Sequence, residues 1–126
     1  MIEISQEFRF DAAHRLQAGA AENRRIHGHS FEAKVALRGE PDPQTGMIRD
    51  LGEVSSALRA IAETLDHRML NDIPGLGEPT LENLARFIFA RARERFPEVA
   101  RVSVRRPSTG QSCRYEENQS WPDGHD

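Results

Sequence analysis

The chain has 126 residues, of which 37% are hydrophobic and 29% charged, and this length and composition are typical of one soluble globular domain. Its formal net charge of -3 provides no overall basic surface for nucleic acid, and no apolar run approaches the roughly 18 residues of a membrane span, so we expect neither partner. The single cysteine, Cys113, excludes an internal disulfide, and the lack of a basic-then-apolar N-terminal signal agrees with a cytoplasmic protein.

The first two predicted elements are strands over residues 2–14 and 27–38, because apolar and polar residues alternate in both segments. Side chains alternate between the two faces of a strand, so His14 shares the apolar face of the first strand and His27 and His29 share that of the second. The residues predicted to lie on this face are Ile2, Ile4, Phe8, Phe10, Ala12 and His14, with His27, His29, Phe31, Val35 and Leu37.

Three imidazoles on one sheet face suggest a metal site. A neutral imidazole is the commonest biological zinc ligand, and a catalytic zinc typically has three protein ligands and one open position. A His-x-His pair alone is more often two histidines satisfied by hydrogen bonds, but a third histidine on the adjacent strand favours metal. We therefore predict that His14, His27 and His29 bind Zn²⁺, with Gly28 allowing a ligand to approach the backbone closely.

Two helices are predicted next. Asp50 caps the first, in which an apolar stripe runs from Leu51 to Leu65, and Asp66 and His67 follow at its end. Thr80 caps the second, which Pro97 stops. The stripes are Leu51, Val54, Leu58, Ile61 and Leu65 in the first helix, and Leu81, Leu84, Phe87, Ile88, Ala92 and Phe96 in the second.

Two short strands, around residues 102–104 and 112–116, complete the order ββααββ. This order predicts an α+β fold, a four-stranded antiparallel sheet carrying both helices on one face. We expect residues 1–117 to form this single domain and residues 118–126 to form a polar tail, ordered only if Trp121 docks. Four strands leave two open edges, which predicts pairing between subunits and hence a homo-oligomer.

Four sequence blocks in order carry a family resemblance: FDAAHRL at 10–16, HGHSF at 27–31, DPQTGMI at 42–48 and LDHRMLND at 65–72. They resemble the 6-pyruvoyltetrahydropterin synthase and 6-carboxytetrahydropterin synthase family, with the bacterial 6-carboxytetrahydropterin synthase of the queuosine pathway as the nearest branch. The similarity extends over residues 4–115.

The resemblance implies a tunnelling fold (T-fold) and a homohexamer built as a dimer of trimers, with active sites at subunit boundaries. It also implies zinc on the three histidines and a proton relay at Asp66 and His67. A carboxylate that orients an imidazole is a usual acid–base device. Taken without the family, the Asp66–His67 pair is better explained as capping of the helix C-terminus.

The sequence departs from the family at Asn23, where relatives have the cysteine that acts as nucleophile or base. An amide has no titratable proton near neutrality and cannot replace a thiolate. Cys113 is better interpreted as a packed strand residue, since it aligns with a second, C-terminal cysteine of some relatives. Glu22 would supply a base only if the loop shifted by one residue.

A second departure is Arg106, where relatives have a glutamate that accepts hydrogen bonds from the pterin ring. An arginine offers donors instead, and it suits a carboxylate or a phosphate. Two alternatives stay open: Arg106 is a surface residue, or a shifted hairpin brings an acceptor such as Glu116 into reach.

These residues predict a zinc-dependent lyase resembling 6-carboxytetrahydropterin synthase and acting on a pterin-like or altered, anionic small molecule. Asn23 and Arg106 are its predicted substrate-binding residues. We expect the standard conversion of dihydroneopterin triphosphate to carboxytetrahydropterin to be slow or absent. The alternatives are a zinc-containing binding or regulatory homologue without turnover and a metal-free structural domain.

Overall fold

The alternating segments at the N-terminus form two long strands, β1 (Ile2–His14) and β2 (His27–Gly39), in a computed structural model that describes residues 1–117. The predicted tail, with Trp121, lies outside the described residues. The two strands pair antiparallel along their whole length, with Phe10 opposite Phe31 and His14 opposite His27. This register places the apolar residues of both strands on one face, which we call the inner face.

The helices carry the predicted stripes, except that Leu51 is exposed and Ile61 is only partly buried. In α1 (Leu51–Leu65) the Asp50 carboxylate accepts the backbone N–H of Gly52, and Val54, Leu58 and Leu65 are buried. Leu51 was expected in this stripe but is 44% exposed, because it begins the helix and the buried face starts only at Val54.

The second helix, α2 (Leu81–Arg95), begins where the Thr80 hydroxyl accepts the N–H of Asn83. Every residue of its predicted stripe is buried. Burial of one apolar stripe per helix is what fixes each helix against the sheet.

Strands β3 (Val99–Arg106) and β4 (Gln111–Glu116) complete a single sheet in the order β1-β2-β3-β4. All neighbouring pairs are antiparallel. The α+β, ββααββ prediction is therefore confirmed. Helix α1 packs on β1 and α2 on β3 and β4, so both helices cover the inner face. Within the described residues, neither α-helix has the length and apolar character needed to cross a membrane.

Candidate metal centre and neighbouring cleft

The three predicted ligands lie together at one end of β1 and β2. Their ring centroids are separated by 4.6 Å for His14–His27, 5.1 Å for His14–His29 and 4.9 Å for His27–His29. One nitrogen from each ring can be chosen so that all three lie within 4.8 Å of one another. Phe31 packs edge-on against His14 and His29, so an aromatic residue of the core supports the cluster.

Backbone carbonyls determine which nitrogen of two rings carries the proton. Nδ1 of His14 lies 2.9 Å from the Pro79 carbonyl oxygen, and Nδ1 of His27 lies 2.8 Å from that of Arg25. A carbonyl oxygen only accepts hydrogen bonds, so both Nδ1 atoms donate, and in the neutral rings both Nε2 atoms keep a lone pair. Burial lowers the pKa of His14, which favours its neutral form.

These two lone-pair nitrogens face each other. Nε2 of His14 and Nε2 of His27 are 3.1 Å apart, and neither has a proton to give when both rings are neutral. Such a contact is unfavourable unless a cation is shared between them. Three imidazole nitrogens are a ligand set that zinc uses in proteins. In two of the rings the other nitrogen donates to a backbone carbonyl, as zinc-bound histidines commonly do. The residues present therefore fit a zinc ion.

The third imidazole has a cationic neighbour. Nη1 of Arg106 lies 3.4 Å from Nε2 of His29, at the end of β3 that faces the cluster. Burial, and then the charge of Arg106, lower the pKa of His29 to about 4. Arg106 shares the inner face with Val102 and Val104, and it is half-buried. His29 is thus also held neutral.

Asn71 fixes the backbone directly after His14. Its side-chain oxygen accepts the N–H of Arg15 at 3.0 Å and its amide donates to the Arg15 carbonyl at 3.0 Å. Nothing in the sequence marked this residue beyond its place in the last family block. We expect Asn71→Ala to lower the free energy of unfolding by about 1–2 kcal/mol, the loss of two hydrogen bonds, as measured by urea denaturation.

Asn23→Ala is the matched control, because within residues 1–117 the Asn23 side chain makes a single hydrogen bond, at 3.5 Å to the Ala18 carbonyl. It should change the free energy of unfolding by less than about 0.5 kcal/mol. Equal losses in the two variants would show that the paired bonds of Asn71 have no special role.

Asp66 and His67 occupy the free edge of β1. The N–H of His67 donates to the Asp11 carbonyl at 2.6 Å, and the N–H of Asp11 donates to the Asp66 carboxylate at 2.8 Å. Asp66 Oδ2 lies 2.9 Å from His67 Nδ1, while the His67 side chain is 79% exposed and its φ is 58°. The Asp11 N–H, and then His67, hold the pKa of Asp66 below its usual range. The carboxylate therefore stays ionised and orients the imidazole.

A cleft of about 620 Å³ lies beside this pair, lined by Asp11, Ala12, Ala13, Gly28, His29, Ser30, His67, Arg68 and Met69. Asp11, Ala13, Gly28 and Ser30 alternate with the inner-face residues, so the cleft opens mainly on the opposite, outer face of the sheet. Gly28 lies on this outer face and lines the cleft, so its backbone is open to a ligand there. Ser30 Oγ donates to the Asp11 carboxylate at 2.5 Å, a contact that the sequence did not suggest.

The remaining candidates belong to elements other than β1 and β2. Cys113 packs against the core and burial raises its pKa, which fits a packed strand residue. Glu116 pairs with Arg101, whereas Arg106 pairs with Gln111 at the opposite end of the hairpin. Asn23 and Glu22 belong to a short 3₁₀ helix over Ala21–Arg24, where Glu22 is exposed and the Asn23 carbonyl accepts the Leu16 N–H at 2.7 Å.

Comparison with solved structures defines the class of protein. The chain superposes on 6-pyruvoyl tetrahydropterin synthase of Caenorhabditis elegans with a TM-score of 0.80 and 27% identity, covering 93% of this chain and 96% of that one. The architecture is therefore that of the T-fold proteins related to tetrahydropterin synthases.

Sequence comparison then gives the family. The family model described as 6-pyruvoyl tetrahydropterin synthase matches residues 3–118, and the chain belongs to this family. The 6-carboxy-5,6,7,8-tetrahydropterin synthase of Synechocystis sp. is 38% identical over 96 residues, covering 72% of this chain and 74% of that protein. The human 6-pyruvoyl tetrahydrobiopterin synthase is 31% identical over 111 residues, covering 75% of this chain and 77% of that protein. A pterin-related lyase function follows at this coarse level.

Proposed function

We propose that the protein is a zinc-dependent lyase that acts on a pterin-like or altered small molecule. The observation that carries this proposal is the 3.1 Å separation of two imidazole Nε2 atoms whose Nδ1 protons are both engaged by carbonyls. His14, His27 and His29 would hold the ion. When bound, zinc would supply Lewis acidity to substrate oxygens next to the bond that reacts.

In the proposed mechanism His67 accepts a proton from the substrate and later returns it. Its Nδ1 is tied to the Asp66 carboxylate, so its Nε2 is the free nitrogen, and the 79% exposed ring can reach a bound molecule. Asp66 acts as a positioning residue, because its other carboxylate oxygen is fixed by the Asp11 N–H.

The proposed active site requires a second copy of the chain. Within one chain only His29 of the three histidines lines the cleft beside His67, and His14 and His27 project from the inner face of the sheet without lining it. The edge of β4, and the edge of β1 outside the stretch from Asp11 to Ala13 that residues 66–69 cover, are open for pairing with another chain. Open edges support a homo-oligomer, and the family resemblance implies a homohexamer, a dimer of trimers, with active sites at subunit boundaries. We infer that His67 of one subunit approaches the metal centre of another, and we expect the assembly to be cytoplasmic.

The substrate is proposed to differ from that of the relatives because Asn23 cannot supply a thiolate. We expect the purified protein to convert dihydroneopterin triphosphate to carboxytetrahydropterin slowly or not at all, since loss of one proton-handling group commonly costs on the order of 10²- to 10⁴-fold. Product formation is measured by chromatography. Full activity would refute the claim that Asn23 and Arg106 redirect the function.

Two variants at one position sharpen this test. Asn23→Cys should raise the rate by at least about tenfold if a thiolate is the missing group, whereas Asn23→Ser should not, because a serine hydroxyl does not ionise near neutrality. The second candidate function, a zinc-containing binding homologue, is favoured if His67→Ala leaves ligand affinity unchanged and no reaction is detectable in either protein.

A further inference from the structure

Arg106 is a half-buried cation with unused hydrogen-bond donors. Its Nε is buried and makes no hydrogen bond within residues 1–117, and its one side-chain contact of this kind is the long 3.4 Å approach of Nη1 to His29. The adjacent Arg105, in contrast, is exposed and pairs with Glu32 at 3.4 Å. A buried donor without a partner is costly, and in a native site it is commonly completed by a ligand, an ion or an ordered water.

Glu78 does not neutralise the charge of Arg106. Glu78 acts electrostatically on His14, but its carboxylate accepts the Gln17 N–H at 2.7 Å, and Arg106 forms no ion pair within the described residues. The three imidazoles are neutral ligands, so a divalent ion bound to them would keep its full charge. A metal held through His29 Nε2 would also take the lone pair that now faces Arg106.

We propose that Arg106 and the three-histidine cluster together form an oxyanion site, which binds a carboxylate or phosphate group of the substrate. The inference rests on the proposed metal centre and adds the class of group that the centre recognises. Two adjacent cationic groups with no acidic partner among the described residues repel each other in a partly buried site, and an anion that contacts both removes the repulsion. The guanidinium fork matches the spacing of two oxygen atoms in either group.

The test uses the full chain loaded with cobalt, whose visible spectrum reports a change of ligand. Acetate and inorganic phosphate are titrated separately at constant ionic strength. The anion that binds with the higher affinity identifies the group as a carboxylate or a phosphate. Arg106→Gln should weaken anion binding by at least about tenfold, the loss of a charge-assisted bidentate contact. Arg105→Gln, on the same strand but paired with Glu32, should leave it within about twofold of the wild type.

A second measurement separates the charge from the fold. In buffer without acetate or phosphate, Arg106→Gln should bind cobalt more tightly than the wild type, because a like charge is removed. Arg106→Lys keeps the positive charge but not the guanidinium fork, so it should still bind the anion, with a lower affinity than the wild type. This variant also tests the site if Arg106→Gln does not fold.

The outcomes distinguish the two proposals. Stoichiometric cobalt with equal anion affinity in the wild type, Arg106→Gln and Arg106→Lys would overturn the oxyanion site and leave the metal centre standing. Absence of bound cobalt before any anion is added would overturn the metal centre itself.

Discussion

Replacing His27 by alanine is expected to lower the affinity for zinc by more than about 100-fold. Loss of an outer-shell partner alone typically costs 10- to 100-fold in metal affinity, and this variant removes a ligand together with its bond to the Arg25 carbonyl. Zinc content after purification without chelator, and competition with a chelating dye, measure the effect.

His67→Ala is the matched control, because it removes an imidazole that lies outside the cluster of His14, His27 and His29. It should leave the zinc content unchanged. Stoichiometric zinc in His27→Ala, or an equal loss in both variants, would contradict the assignment of the site.

The convergence of the three histidines could be predicted from the sequence because strand alternation is a local rule. Residues two apart in β2 share a face, and the apolar parity of β1 includes His14, so the three rings had to meet once the strands paired. The positions of the two helices could be predicted from their N-caps and apolar stripes, which are also local patterns. Arg106 could also have been assigned to the inner face from its parity with Val102 and Val104.

Other features could not be predicted, since they depend on contacts between distant segments. Nothing near residues 66–69 indicates that the chain there lies along the free edge of β1, with a parallel bridge from Met69 to Ala13. This pairing determines the cleft that His67 borders. The carbonyls of Pro79 and Arg25, which set the tautomers of two histidines, carry no signal in residue type, because every residue has a carbonyl group.

The second large effect is expected for His67→Ala, which should lower turnover by about 10²- to 10⁴-fold, the usual contribution of a positioned acid–base group. The reaction of dihydroneopterin triphosphate is followed with enzyme in excess over substrate, so that even a slow reaction is detected. The zinc content should stay at the wild-type level, so the loss would be assigned to proton transfer. Unchanged turnover would rule out His67 as the relay.

Mixing the two inactive variants tests whether neighbouring subunits share a site. If His67 of one copy serves the metal centre of another, then His27→Ala and His67→Ala subunits, dissociated and reassembled together, form some sites with both residues intact. Random assembly of equal amounts gives such a site about one time in four, so activity should return to roughly a quarter of the wild-type value. If both residues act within one chain, no mixed assembly contains an intact site and activity stays lost.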